Sequence, residues 1–199
     1  MAMRLRQHTN PLTYRGSYQG PDPALLLGGP PTELEIGPGL GELLLARALE
    51  APAARLLGVE VRRAYVEICQ RALTEGGVRN ACVIYAEART DVPRLIAERS
   101  LDRIYLMFPD PWFKHRHRKR RVLDAGFAGL LATKLRPGGE LHYATDRGEL
   151  GSEIRHLLDG VAALARVGDL PPAAAQSGRG QHHLGRGDII VGGRYARVS

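Results

Sequence analysis

From Thr32 to about Leu164 strand and helix signals alternate, and the first strand runs directly into a glycine turn, Glu35-Ile36-Gly37-Pro38-Gly39-Leu40-Gly41. Leu34 to Ile36 is a short apolar run, and Leu40 to Glu50 has helical spacing. Arg55 to Glu60 reads as a second strand ending on an acid, followed by a helix to Thr74 that Gly76-Gly77 stops. Ala81 to Tyr85 is rich in strand formers, Val92 to Glu98 reads as a short helix, and Leu101 to Phe108 as a fourth strand. A helix from about Asp124 to Leu135 ends at Pro137-Gly138-Gly139, Glu140 to Thr145 is a fifth strand, and Glu149 to Leu164 is helical. Ile189 to Val191 and Tyr195 to Val198 are candidate closing strands. Regular alternation of this kind leaves few options, because consecutive parallel strands need a crossover and the crossover helix must cover a face of the sheet. The expected fold is α/β, a single Rossmann-like doubly wound, mostly parallel sheet with helices on both faces.

A chain of 199 residues can bury one full core and little more. Residues 1–31 are polar, basic and rich in Pro and Gly, and are expected to form a flexible arm ahead of a domain spanning 32–199. No apolar run approaches the roughly 18 residues of a membrane helix. The N-terminus carries Arg4 and Arg6 without an apolar stretch behind them, so no secretory signal is expected. Cys69 and Cys82 have no metal-ligand spacing and read as ordinary thiols of a reducing, cytoplasmic protein. The sequence is compatible with a monomer or a homodimer.

Glycines 37, 39 and 41 follow a strand and open a helix, where a ligand can approach the backbone closely. The dinucleotide fingerprint G-x-G-x-x-G would need its third glycine at position 42, which is Glu42. Glu35 stands two residues before the turn, where a carboxylate would repel a pyrophosphate but could pair with a cationic amino-acid group. That combination points away from NAD and towards S-adenosylmethionine. Glu60 ends the second strand, 23 residues beyond Gly37, where an acid can accept ribose hydroxyls. Glu87-Ala88 follows the third strand, at the edge expected to flank an adenine.

The fourth strand leaves as Phe108-Pro109-Asp110-Pro111-Trp112, two prolines stiffening the turn around Asp110. Trp112, the only tryptophan, offers a flat wall for a base. Lys or Arg fills six of the eight positions from Lys114 to Arg121, and His the other two. With a formal charge of +7, such a cluster fits the phosphates of a nucleic acid. The fifth strand ends as Ala144-Thr145-Asp146, bringing another carboxylate to the same rim.

Glu35 to Gly41, Gly58 to Val61, Glu87-Ala88, Phe108 to Arg121 and Ala144 to Asp146 together resemble the bacterial tRNA (guanine-N7-)-methyltransferase family. The opening Arg4 to Leu12 is also similar to some members, and Phe108 to Arg121 is the most specific part. The resemblance implies a class I S-adenosylmethionine-dependent methyltransferase that methylates N7 of a guanosine in the tRNA variable loop. It implies tRNA as partner, cofactor positions at Glu35, Glu60, Glu87 and Asp110, the active-site acid at Asp110, and tRNA contacts at Lys114 and Asp146. Arg116 and Trp112 join these as candidate substrate-binding residues, beside Gly37, Gly39, Gly41 and Ala88 on the cofactor side. No metal is expected, since the His182-His183 pair has no evident third ligand.

The chain departs from the family at its C-terminus, where a Thr-x-x-Glu element usually helps hold the target nucleotide. Here Ala173 to Gly180 reads Ala-Ala-Ala-Gln-Ser-Gly-Arg-Gly, and no Glu follows Glu153. Ser177, Arg179 and the histidine pair are candidate substitutes. Two alternatives stay open: the same chemistry on another RNA position, and a non-catalytic RNA-binding module that kept the fold.

Overall fold

Strand β1 (Glu33–Ile36) and strand β2 (Leu56–Glu60) are buried along their whole length, which is what covering a parallel sheet on both faces requires. The computed structural model describes residues 14, 16–112 and 120–198. Its sheet has seven strands, adding β3 (Ala81–Tyr85), β4 (Leu101–Met107), β5 (Leu135–Thr145), β6 (Leu164–Gly168) and β7 (Val191–Arg197), in the order β3-β2-β1-β4-β5-β7-β6. The first five run parallel, and β7 lies antiparallel between β5 and β6.

Side-chain parity divides the core into two layers. Leu34, Ile36, Leu57, Val59, Ile104 and Leu106 face helices α4 (Ala88–Leu95), α5 (Ala125–Lys134) and α6 (Gly148–Asp159). On the other face Leu56 and Val83 pack on α2 (Glu42–Glu50) and α3 (Arg63–Glu75), while Tyr105 and Met107 meet Ala173 and Ala174 of α7 (Ala173–Gln176). The chain reverses its direction of travel across the sheet between β1 and β4, so a crevice opens beyond their carboxyl ends.

Several boundaries differ from expectation. Helix α4 starts at Ala88 rather than near Val92, because the Glu87 carboxylate accepts the Thr90 amide at 2.8 Å and caps it. Helix α6 ends at Asp159, and Leu164–Gly168 is strand β6 rather than the end of a helix. The two expected closing segments are largely one strand, β7, which starts at Val191 and carries Gly192-Gly193 near its beginning. Those glycines hide the strand in the sequence, but a Cβ on Gly192 would lie 2.5 Å from the Tyr143 carbonyl oxygen, and one on Gly193 2.8 Å from the Tyr143 ring. Within residues 16–31 lies a short helix α1 (Pro23–Leu27), capped by Asp22, whose Leu27 joins the core. Helix α8 (Gly178–Gly185) has no counterpart in the sequence-based expectation.

Candidate active site

The crevice is a cleft of about 930 Å³. Glu35, Gly37, Gly39, Glu60, Glu87, Ala88, Asp110, Trp112 and Asp146, which the sequence nominates separately, all line it. Lys114 and Arg116 lie outside the described residues. Gly41 does not line the cleft; it adopts φ +92° as the N-cap of α2, and a Cβ there would stand 2.4 Å from the Cys69 sulfur. Its glycine serves the packing of α2 on α3. Gly37 and Gly39 have φ of +73° and +60° with open space where a Cβ would project, so backbone conformation, not packing, calls for glycine there.

The three strand-end acids differ in what holds them. Glu60 is almost fully buried and takes the Arg62 side chain on both carboxylate oxygens at 2.9 Å, with the Arg62 amide at 2.9 Å and the Gly39 amide at 3.2 Å. Glu87 is committed to capping α4 through Thr90, and its own amide donates to Asp91 at 3.0 Å. Glu35 is 3% exposed, and among the described residues its Oε2 has no hydrogen-bond partner. Burial first, then the neighbouring carboxylates Glu42 and Glu60, push its pKa up to about 8. A buried carboxylate with an unanswered oxygen on a cleft wall is a site built for a cation or a donor.

Across the cleft, the turn after β4 is strained and braced. Phe108 and Trp112 take φ of +50° and +39°, unusual for bulky residues. The Phe108 amide donates to Ala144 O at 2.7 Å, Arg179 donates to Phe108 O at 3.3 Å, and Arg121 donates to Pro111 O at 2.8 Å. Arg121 also pairs with Glu153 of α6. The Arg120 guanidinium lies 5.0 Å from the centre of the Trp112 ring. Asp110 is thereby held between two fixed points on the cleft wall.

The C-terminal segment completes the wall, which the sequence hinted at only through the candidate substitutes. Ser177 caps α8, accepting the Gly180 amide at 3.1 Å, and Arg179, His182 and His183 reach the cleft. His183 stacks on Phe108 with ring centres 5.9 Å apart. Its Nδ1 lies 2.8 Å from Asp188, and its Nε2 3.6 Å from Asp146, which also pairs with Arg147 at 3.0 Å. Tyr14, Glu42 and Arg62 line the cleft as well, and nothing in the sequence singles them out. Carboxylates thus occupy the walls below the glycine turn, while Arg120, Arg121, Arg147 and Arg179 border the cleft on the side of Asp110 and Asp146.

The sheet order with its antiparallel β7, the switch point and the glycine turn define a class I methyltransferase fold. Among solved structures, the 16S rRNA (adenine(1408)-N(1))-methyltransferase from Catenulisporales acidiphilia aligns with a TM-score of 0.59 at 16% identity, covering 91% of this chain and 93% of that one. A family model described as "Putative methyltransferase" matches residues 30–173. The tRNA (guanine-N(7)-)-methyltransferase of Pseudomonas fluorescens (strain Pf0-1) is 42% identical over 149 residues, 73% of this chain and 62% of that relative. The protein of the same name from Synechococcus sp. (strain JA-3-3Ab) is 37% identical over 160 residues, 77% of this chain and 67% of that relative. The chain belongs to the tRNA (guanine-N7-)-methyltransferase family. It spans about three-fifths of the length of the first relative and two-thirds of the second.

Proposed function

We propose that this protein transfers a methyl group from S-adenosylmethionine to N7 of a guanosine in the tRNA variable loop. The observation that carries this reading is the unpartnered, buried Glu35 oxygen on the cleft wall beside the glycine turn. The donor set fits the cofactor: Glu35 answers the ammonium of its amino-acid part, and Gly37 and Gly39 leave the backbone open to it. Glu60 answers the ribose hydroxyls in place of the Arg62 side chain, while the Gly39 and Arg62 amides go on holding the carboxylate. Glu87 and Ala88 border the adenine end.

The cofactor supplies an electrophilic methyl on a sulfonium. Guanine N7 carries an in-plane lone pair and no proton, so the protein needs no general base. Its work is positioning and electrostatics. Asp110, fixed between Pro109 and Pro111, sets a negative charge beside the purine as positive charge develops on it. Asp146 is an acceptor for the guanine N1–H and N2–H₂ edge, and Trp112 offers a face on which a base can stack. The arginines at this end, with the basic run that includes Lys114 and Arg116, meet the RNA phosphates. A folded RNA must expose the guanosine before N7 can reach the methyl group.

The decisive experiment is methyl transfer from labelled S-adenosylmethionine to tRNA lacking 7-methylguanosine, followed by nucleoside analysis. Label in 7-methylguanosine of the variable loop is the expected result. Label at another nucleoside would reassign the acceptor, and the absence of label despite cofactor binding would overturn the tRNA reading. Near-full turnover by Asp110→Asn would remove the electrostatic role given to Asp110.

A further inference from the structure

Asp91, on α4, is completely buried and belongs to none of the roles above. Its Oδ2 accepts from the Tyr14 hydroxyl at 3.0 Å and from the Glu87 amide at 3.0 Å. Its Oδ1 accepts from the Tyr18 amide at 2.9 Å and from the Arg94 guanidinium at 2.8 Å, and Arg94 in turn donates to Tyr18 O at 2.5 Å. Burial raises the pKa of this carboxyl, but the donors outweigh burial and hold it below the usual range. A charge buried with all its lone pairs answered fixes one geometry, since moving any partner leaves the carboxylate short of a donor.

What that geometry fixes is the place of Tyr14. One oxygen atom binds both the Tyr14 hydroxyl and the amide of Glu87, so the phenol stands beside the Glu87-Ala88 loop. The Tyr14 ring packs edge-on against Tyr85 at the end of β3, centres 5.5 Å apart, and Tyr85 carries the Arg63 guanidinium at 4.6 Å. Tyr14, Glu87 and Ala88 line the same cleft.

We propose that Tyr14 is the aromatic wall of the nucleoside end of the cleft, and that Asp91 is the positioning residue that clamps it to the Glu87 loop, a role that rests on the cofactor reading above. A purine at Ala88 then has an aromatic ring to meet, as base-binding sites commonly provide. Because the clamp is shared, a nucleoside that tightens the Glu87-Ala88 loop also tightens Tyr14 and Tyr18, both held by Asp91. By linkage, docking of that segment strengthens nucleoside binding by the same factor.

The test is calorimetric titration of the full chain with S-adenosylhomocysteine and with adenosine, alongside amide hydrogen exchange of residues 16–20. Tyr14→Ala is expected to bind both ligands about tenfold more weakly, the worth of one base–aromatic contact. Tyr14→Phe keeps the ring and should stay within about threefold of the parent. Exchange at residues 16–20 should slow when the parent binds S-adenosylhomocysteine, and should not respond in Tyr14→Ala or Asp91→Asn. Equal affinity in the parent and in Tyr14→Ala, or exchange in the parent that ignores the ligand, would overturn the inference. A parent protein that binds neither ligand would overturn the cofactor reading itself, and this role with it.

Discussion

Glu33 and Glu35 stand two residues apart on one face of β1, equally buried, and meet opposite fates. Glu33 is answered from three sides: Arg47 of α2 at 2.8 Å, Arg103 of β4 at 3.3 Å and the Tyr105 hydroxyl at 2.8 Å. It ties α2 to the middle of the sheet. Glu35 lies one pleat further towards the carboxyl edge, where the strand runs into the glycine turn and the flanking elements diverge. No cation of the described residues reaches its Oε2, and burial leaves its proton held to about pH 8. The same residue type, at the same depth, is tied into the fold where the sheet is covered and keeps an oxygen without a partner among the described residues where it opens.

The largest effect should come from breaking the structural acid. Glu33→Leu takes the buried partner from Arg47, which keeps Glu50 at 3.2 Å, and from the Tyr105 hydroxyl, and should lower unfolding free energy by about 3 kcal/mol, measured by denaturant titration. If the loss stays within the range of a surface substitution, the contrast with Glu35 has no energetic basis.

Glu35→Gln should do the reverse. Loss of the charge facing the ligand ammonium should weaken S-adenosylhomocysteine binding about a hundredfold in a calorimetric titration. The unliganded protein should gain stability at pH 8, by about 1–3 kcal/mol, because a buried charge is gone. Retained affinity would place the amino-acid end of the ligand elsewhere.

A pH series sharpens the same point. The pKa of Glu35 is raised on folding, so its contribution to stability is complete below about pH 4.3 and is lost as pH rises through about 8. Ligand binding needs the ionised form, so affinity should climb by up to about tenfold per unit between pH 6 and 8, with a proton released on binding. Above that, Glu35 is fully ionised and affinity should level off, then fall once the ligand's own amino group loses its proton. Glu35→Gln should lose this rising limb, and a parent protein with flat affinity from pH 6 to 8 would refute the assignment.

The smallest effect tests the third strand-end acid. Glu87→Ala removes the cap on α4 and should cost about 1 kcal/mol of stability, read as a small fall in melting temperature. Its effect on cofactor affinity should be modest, since the carboxylate already serves Thr90. A loss of affinity as large as that of Glu35→Gln would put Glu87 in the same class as Glu35.

Much of this was legible along the chain because it depends on local pattern. An apolar run such as Leu56 to Val59 marks a strand covered on both faces, and a strand running into glycines marks a turn that a ligand can approach. Asp110 between two prolines is likewise a local fact. The β6–β7 pair was not legible, because its strands depend on pairing with distant residues. Gly192-Gly193 looks like a break until Tyr143 is seen beneath it. The same holds for His183, whose ring reaches Phe108 and the cleft because α7, just ahead of α8, packs on Tyr105 and Met107 of β4 and Ala144 of β5.

Local pattern along the chain sets the alternation of strands and helices, the order in which acids arrive at the carboxyl edge, and where positive charge gathers. Periodicity, glycine and proline are properties of neighbouring residues. Which acids are answered came from the packing: Glu33 by Arg47, Glu60 by Arg62, Asp91 by Tyr14 and Tyr18, and Glu35, on its Oε2, by none of the described residues. Whether a carboxylate supports the fold or waits for a ligand depends on which donors come within about 3 Å of it in space. Those donors come from residues up to 77 positions away along the chain.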